Sequence, residues 1–414
     1  MALTISYGWV VIGALWLGNI FVIFTGFTLG ILLPDIRAEF GLSPVQAGML
    51  GSAFFLGFAS FSLPSSLWLS KYSPRITVLV LMAGSSLLLF MQGWAPVFWT
   101  LLLGRFLFVL LSVGRSAPEV LLIYQWFKPD RVARVLSINF SILGIGQAIS
   151  LALTPALLAL VGSWHNVYYV FGIGMLIATL VWYAFGKDNS HRGSETDQSG
   201  SILAPLSILL RRPTLWLVAL CQVGASVTFA SFMTFWPTFM VETRGMPIEQ
   251  AGPLFSLYPI GGILGSFSAG FASERLRRRK PIIWFSGISL PFLYAILLMT
   301  PNHVALAAAL FFAGIFAFIV IPIVMTIPFD MRLQPREIAL ATGLIRTFTP
   351  LGAAMGPILV GTVQQLFGSL TLGLAVAVPL PFLMALCGLL IPETSPHYIK
   401  DIHSNKNTFY ISDR

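Results

Sequence analysis

The sequence predicts an all-α membrane protein with twelve transmembrane helices in two pseudo-symmetric six-helix halves. Three observations predict it. The 414 residues are 57% hydrophobic and only 9% charged, with a mean hydropathy of +0.86. Soluble domains carry about 25% charged residues, so this chain cannot cover a water-facing surface. Twelve apolar runs each reach the ~20 residues that a bilayer crossing needs. The chain also repeats itself half a length on: Gln46-Ala47-Gly48 aligns without gaps on Gln250-Ala251-Gly252, and Lys71 and Arg75 fall on Arg275 and Arg279. A repeat of that period means two similar halves.

Span 1 is expected over 8–33, with Asn19 as its main polar group. It is too long, and lacks the basic flank, for a cleavable signal, so it reads as a retained span. Span 2 (45–69) opens on the repeated Gln-Ala-Gly and stops before Lys71. Span 3 (76–95) starts just past Pro74-Arg75. Span 4 (97–126) holds Arg105, Arg115 and Glu119, and ends at Trp126-Phe127-Lys128. Span 5 (135–161) follows the turn containing Arg131 and stops at Gly162. Span 6 (165–185) ends at Gly186-Lys187. Residues 187–212 show no apolar periodicity and read as a flexible linker. The second half follows with spans 7 (214–240), 8 (248–273), 9 (281–300), 10 (304–328), 11 (338–366) and 12 (369–391). Internal Pro and Gly are tolerated where neighbours satisfy the freed backbone groups. The domains expected are thus a first half over 1–186, the linker 187–212, a second half over 213–392 and a polar tail over 393–414.

Charge sets the orientation. Between spans 8 and 9 lie Arg275, Arg277, Arg278, Arg279 and Lys280, a cluster that cannot stay in hydrocarbon. Of the 24 Lys and Arg, all but five fall in segments on this same side; Arg37 and Arg244 lie on the other, and Arg105, Arg115 and Arg346 lie inside spans. By the positive-inside rule the crowded side, with both termini, is cytoplasmic, which places the protein in the inner cell membrane. The net charge of +9 then reflects topology, and no nucleic-acid partner is expected. Cys221 and Cys387 sit in apolar runs, and the five His lie in loops, termini or span edges. No metal spacing, phosphate loop or nucleophile elbow is present, so neither a cofactor nor an enzyme activity is expected.

Several loops resemble the major facilitator superfamily, and the resemblance covers nearly the whole chain. The family's loop G-x-x-x-D-R/K-x-G-R-R/K recurs here at Gly270 to Arg279, with Glu274 for the acid and Arg277 for the second Gly. The first copy, Ser66 to Arg75, is degenerate, with Ser70 in place of the acid. Trp126-Phe127-Lys128-Pro129-Asp130-Arg131 is similar to the W-F-x-P-x-x-R stretch after helix 4, and Ser163-Trp164-His165 to the G-W-R start of helix 6. The resemblance implies the major facilitator fold and a secondary transporter working by alternating access. It also implies that Glu274, Arg275, Arg279, Lys71, Arg75 and Arg131 form cytoplasmic ion pairs that gate the cycle. Arg105 takes the position of the family's helix-4 arginine. Helix 5 lacks the G-x-x-x-G-P-x-x-G-G pattern of drug antiporters.

Inside the membrane, Glu119, Arg105, Arg115 and Arg346 are the ionisable groups. Each costs several kcal/mol in hydrocarbon and by default faces a cavity or a partner. At about 100° per residue, Arg105, Ser112, Arg115, Ser116 and Glu119 share one helix face. Arg115 and Glu119, at i and i+4, are spaced to pair, and Gly114 and Pro118 are placed to bend the helix there. Arg346 lies at midplane depth on span 11. Asn19, Gln222, Tyr258, Asn139 and Gln147 are candidate cavity residues, with interhelical hydrogen bonds as the plainer reading. Three buried cations against one acid leave a cavity short of negative charge. The expected function is proton-coupled carriage of a small organic anion by a monomer. Arg115, Arg346 and the polar set would bind substrate, and Glu119 would be the proton site. A proton-coupled exporter of amphipathic compounds is the alternative, and a non-transporting membrane sensor the remote one.

Overall fold

The computed structural model describes residues 7–69, 72–189, 212–331, 333 and 335–395, and the regular structure among them is helical. Among the described residues, twelve helices are long and apolar enough to cross a membrane: Tyr7–Phe40, Pro44–Ser62, Pro74–Trp94, Phe98–Trp126, Arg134–Val161, Trp164–Phe185, Pro213–Glu242, Ile248–Leu276, Lys280–Met299, His303–Asp330, Leu340–Phe367 and Leu370–Leu390. They match the expected spans one for one and are numbered 1 to 12 below.

Proline explains where spans break. Span 4 is two helices, Phe98–Gly114 and Ser116–Trp126. Pro118 has no N–H to return to the Gly114 carbonyl, so the ladder opens and Arg115 N–H bonds Ser112 O at 3.3 Å instead. Span 8 breaks likewise between Ile248–Phe255 and Leu257–Leu276, beside Pro253 and Pro259. Span 2 starts on a reciprocal cap, with Ser43 N–H to Gln46 Oε1 at 2.9 Å and Gln46 N–H to Ser43 Oγ at 3.2 Å.

Packing divides the molecule into two compact units. One contains spans 1–6 with Ala230–Ser256 and Ala354–Leu374; the other contains the chain up to Phe229 from the start of span 7, Leu257–Ala353, and the chain from Ala375. Within the first unit, the ends of spans 7, 8 and 11 remote from the basic loops close tightly on spans 1, 2 and 5. A Cβ on Gly252 would stand 2.5 Å from Pro155 Cγ and 2.7 Å from Leu151 O. Its repeat partner Gly48 would meet the Pro357 carbonyl in the same way, and Gly361 the Pro44 carbonyl. The repeated Gln-Ala-Gly therefore marks two backbone-on-backbone contacts that only glycine allows. Arg37 and Glu242 close the same end with an ion pair at 3.0 Å.

The start of the linker is not free chain. Asp188 caps span 3, accepting from Ser73 Oγ and, at 2.9 Å, from Arg75 N–H. Trp126 Nε1 donates to Lys187 O at 2.9 Å, and Asn189 bonds Gln125. These bonds correct the expectation of a flexible segment for 187–189: polarity predicted solvent, but the carboxylate is needed at a helix N-terminus whose N–H groups lack partners. The second unit has the same device. Glu393 accepts from Arg279 N–H at 2.9 Å and Lys280 N–H at 3.2 Å, at the start of span 9. Residues 190–211 of the linker and 396–414 of the tail lie outside the described residues.

Candidate functional site

The break in span 4 positions the site. Glu119 is buried, and both its oxygens accept from Asn19 Nδ2 of span 1 at 3.2 Å. Asn139, on span 5, reaches the same carboxylate. Arg115 is 2% exposed, and its Nε and Nη1 have no hydrogen-bond partner. Its guanidinium lies against span 1 because residue 18 is glycine: a Cβ there would stand 2.9 Å from Nη1. Spans 1, 4 and 5 thus converge on a carboxylate held by amides beside a desolvated, unsatisfied cation. The direct Arg115–Glu119 pair expected from their spacing is not made, because Asn19 occupies the carboxylate and the helix is interrupted at Arg115 itself.

Arg105 does a different job from the one expected. Nε donates to Leu50 O at 2.9 Å, Nη1 to Thr25 O at 3.1 Å and Nη2 to Gly26 O at 3.1 Å. Its guanidinium also lies 5.6 Å from the centre of the Phe54 ring. All three nitrogens serve the main chain of spans 1 and 2, so Arg105 is a strut. The expected burial of Arg346 is corrected too: it is exposed on span 11, in the second unit. Position along a helix does not say what the side chain faces.

The other polar candidates divide. Gln147 is buried with Nε2 unpartnered, and Gln222 is buried on span 7. Tyr258 is committed inside the second unit, its hydroxyl 3.0 Å from that of Tyr294 and its ring stacked on Phe229. Of the gating candidates, Arg279 pairs with Asp330 and bonds Thr326 of span 10. Arg75 is held through its backbone, while Glu274, Arg275 and Arg131 are exposed. Lys71 lies outside the described residues. Arg277 adopts a positive φ of 51°, the conformation that the glycine of the family loop would take without strain.

Sequence reasoning missed Asp188, Glu393 and Asp330, all at span ends. The first two fall within one residue of the repeat offset, a signal present in the sequence. It also missed His165, which bonds Glu39 at 2.9 Å and Gly93 O at 2.7 Å and ties spans 1, 3 and 6.

The model of the Major Facilitator Superfamily matches residues 15–332 and 249–410. A hexuronate transporter of Bacillus subtilis is 26% identical over 257 residues, a match that spans 61% of this chain and 61% of that protein, under two thirds of its length. A probable sulfoacetate transporter of Cupriavidus necator is 22% identical over 387 residues, 88% of this chain and 89% of its own. Among solved structures, a bacterial homologue of the human lysosomal transporter Spinster, inward-facing and unoccupied, superposes with a TM-score of 0.77. That match covers 95% of this chain and 96% of that one at 16% identity, a likeness of fold alone. With the family match covering most of the chain and twelve spans in place, the protein is a multi-pass membrane member of the Major Facilitator Superfamily of transporters.

Proposed function

We propose that the protein carries a small organic anion by alternating access, with Arg115 as its anion ligand and Glu119 as its proton site. The observation that carries this reading is Arg115: a buried guanidinium with two nitrogens unpartnered. Leaving a buried cation unpaired is strongly unfavourable, so a mobile anion is the natural completion. A carboxylate or sulfonate suits the planar donors of an arginine. The two curated relatives are named for organic acids, which supports the same class. The coupling part of this reading starts from the same site. An anion arriving at Arg115 adds negative charge beside Glu119, which then takes up a proton. The halves 1–186 and 213–392 rock about this site, both termini lie in the cytoplasm of the inner membrane, and Arg279 with Asp330 steadies the cytoplasmic end.

The test is reconstitution with an anion found by thermal-shift screening, since a ligand that binds the folded state raises its melting temperature. Arg115→Lys keeps charge but loses the fork, and should weaken binding about 10–100-fold. Glu119→Gln should retain exchange of substrate and lose accumulation driven by a proton gradient. Normal transport by Arg115→Lys would refute the ligand role. Proton-driven accumulation by Glu119→Gln would refute the coupling role and leave binding standing.

A further inference from the structure

We infer that the anion is a hydroxy acid, and that Asn139 reads its hydroxyl. This rests on the anion reading above and narrows it. Asn139 touches the Glu119 carboxylate, and only its amide nitrogen can donate there, so the nitrogen faces Glu119. The oxygen then points elsewhere. Asn139 Oδ1 is buried and has no hydrogen-bond partner. One carboxylate is therefore flanked by two incomplete groups: donors on Arg115 and an acceptor on Asn139. A ligand that completes both carries an anionic group and, a few bonds away, an O–H or N–H donor.

The balance of unpartnered atoms decides between these donors. Among the described residues of spans 1, 4 and 5 the buried side-chain atoms without partners are Trp16 Nε1, Arg37 Nε, Arg115 Nε and Nη1, Gln147 Nε2 and Asn139 Oδ1. Donors outnumber the single acceptor. An ammonium offers three N–H groups, accepts nothing, and would bring a cation toward Arg115. A hydroxyl gives one hydrogen to Asn139 Oδ1 and keeps two lone pairs that a donor such as Arg115 can fill. The site therefore matches a neutral hydroxyl on an acid skeleton, and mismatches an amino acid. A plain acid of the same skeleton leaves Asn139 Oδ1 buried and unpaired, which is how sites built for a hydroxyl reject its deoxy analogue.

The test uses matched pairs on the full-length protein in lipid nanodiscs, by titration calorimetry: glycolate against acetate, lactate against propionate, gluconate against hexanoate. Wild type should bind the hydroxy acid of at least one pair ~10–100-fold more tightly than its partner, and Asn139→Ala should bring that ratio close to one. Asn139→Ser, which restores an oxygen acceptor, should recover part of it. Equal affinities within every pair in wild type, together with loss of all acids in Arg115→Gln, would overturn the hydroxyl assignment and keep the anion reading. A ratio that survives Asn139→Ala would overturn the role of Asn139. No binding of any acid would overturn the anion reading and this inference with it.

Discussion

Gly252→Ala tests how the end remote from the basic loops closes. The new Cβ would stand 2.5 Å from Pro155 Cγ, 2.7 Å from Leu151 O and 3.2 Å from Pro155 Cδ, against an ordinary separation that begins at 3.4 Å. Spans 5 and 8 must therefore part by about 0.9 Å at this point, the difference between 3.4 and 2.5 Å. Neither neighbour can swing aside, since one is a proline ring and the other a main-chain carbonyl. Such overpacking costs about 1–3 kcal/mol. In this fold the strain has an escape, because opening this end removes the contact altogether. The closed arrangement should lose about 5–150-fold relative to the open one.

The assay is the labelling rate of Thr234→Cys by a membrane-impermeant maleimide, with Cys221 and Cys387 replaced by Ala. Thr234 is 4% exposed and lies against Gly51 in the closed end. Gly252→Ala should raise the rate by that factor, and so should Gly48→Ala at the repeat-related contact. Gly13→Ala, where nothing lies within 4 Å of the new Cβ, is the control. Equal rates in Gly252→Ala and Gly13→Ala would refute the claim that glycine contacts hold this end shut.

Three further outcomes follow from single contacts. Arg277→Gly relieves a non-glycine residue at φ 51° and should stabilise by about 1 kcal/mol, seen as a higher melting temperature; a fall would show that the side chain contributes more than the strain costs. Arg105→Lys replaces three nitrogen donors to carbonyls with one and should cost about 3 kcal/mol, with the melting temperature as readout; a neutral result would contradict the strut. Asp188→Ala and Glu393→Ala remove equivalent helix caps and should each lower stability by about 1 kcal/mol, so a loss in only one of them would break the equivalence.

The sequence carried the spans because bilayer crossing is a property of local composition, and all twelve appear where the apolar runs lie. It carried the break at Arg115 because Pro118 acts within one turn. It did not carry the pairing of Glu119 with Asn19, since the two are 100 positions apart and many polar residues could have met. Arg105 and Arg115 looked alike, ten residues apart on one helix. What separates them is the availability of carbonyls on spans 1 and 2, a fact of packing. For Arg346, the sequence shows its place along span 11, while its exposure depends on what lies beside that helix.

The repeat itself separates scaffold from site. Features present in both halves serve folding and closure: Gly48 and Gly252 at the tight contacts, Asp188 and Glu393 at the caps. Of the site residues, Asn19 falls one residue from the buried Gln222, while Arg115, Glu119 and Asn139 have no such doubles. The same offset that relates Gln46 to Gln250 sets Asn19 against Val223, Arg115 against Ile319, Glu119 against Ile323 and Asn139 against Gly343. Asymmetry alone is insufficient, because Arg105 stands against Ala309 and is a strut with every nitrogen engaged. The two criteria together are selective. Arg115 and Asn139 are both unduplicated and incompletely bonded, and they flank one carboxylate. A duplicated membrane scaffold can keep its buried polar groups apolar, as the second half does at these positions. The first half pays for four polar groups there, and two of them are still waiting for partners. Folding gives no reason for that arrangement; a ligand that comes and goes does.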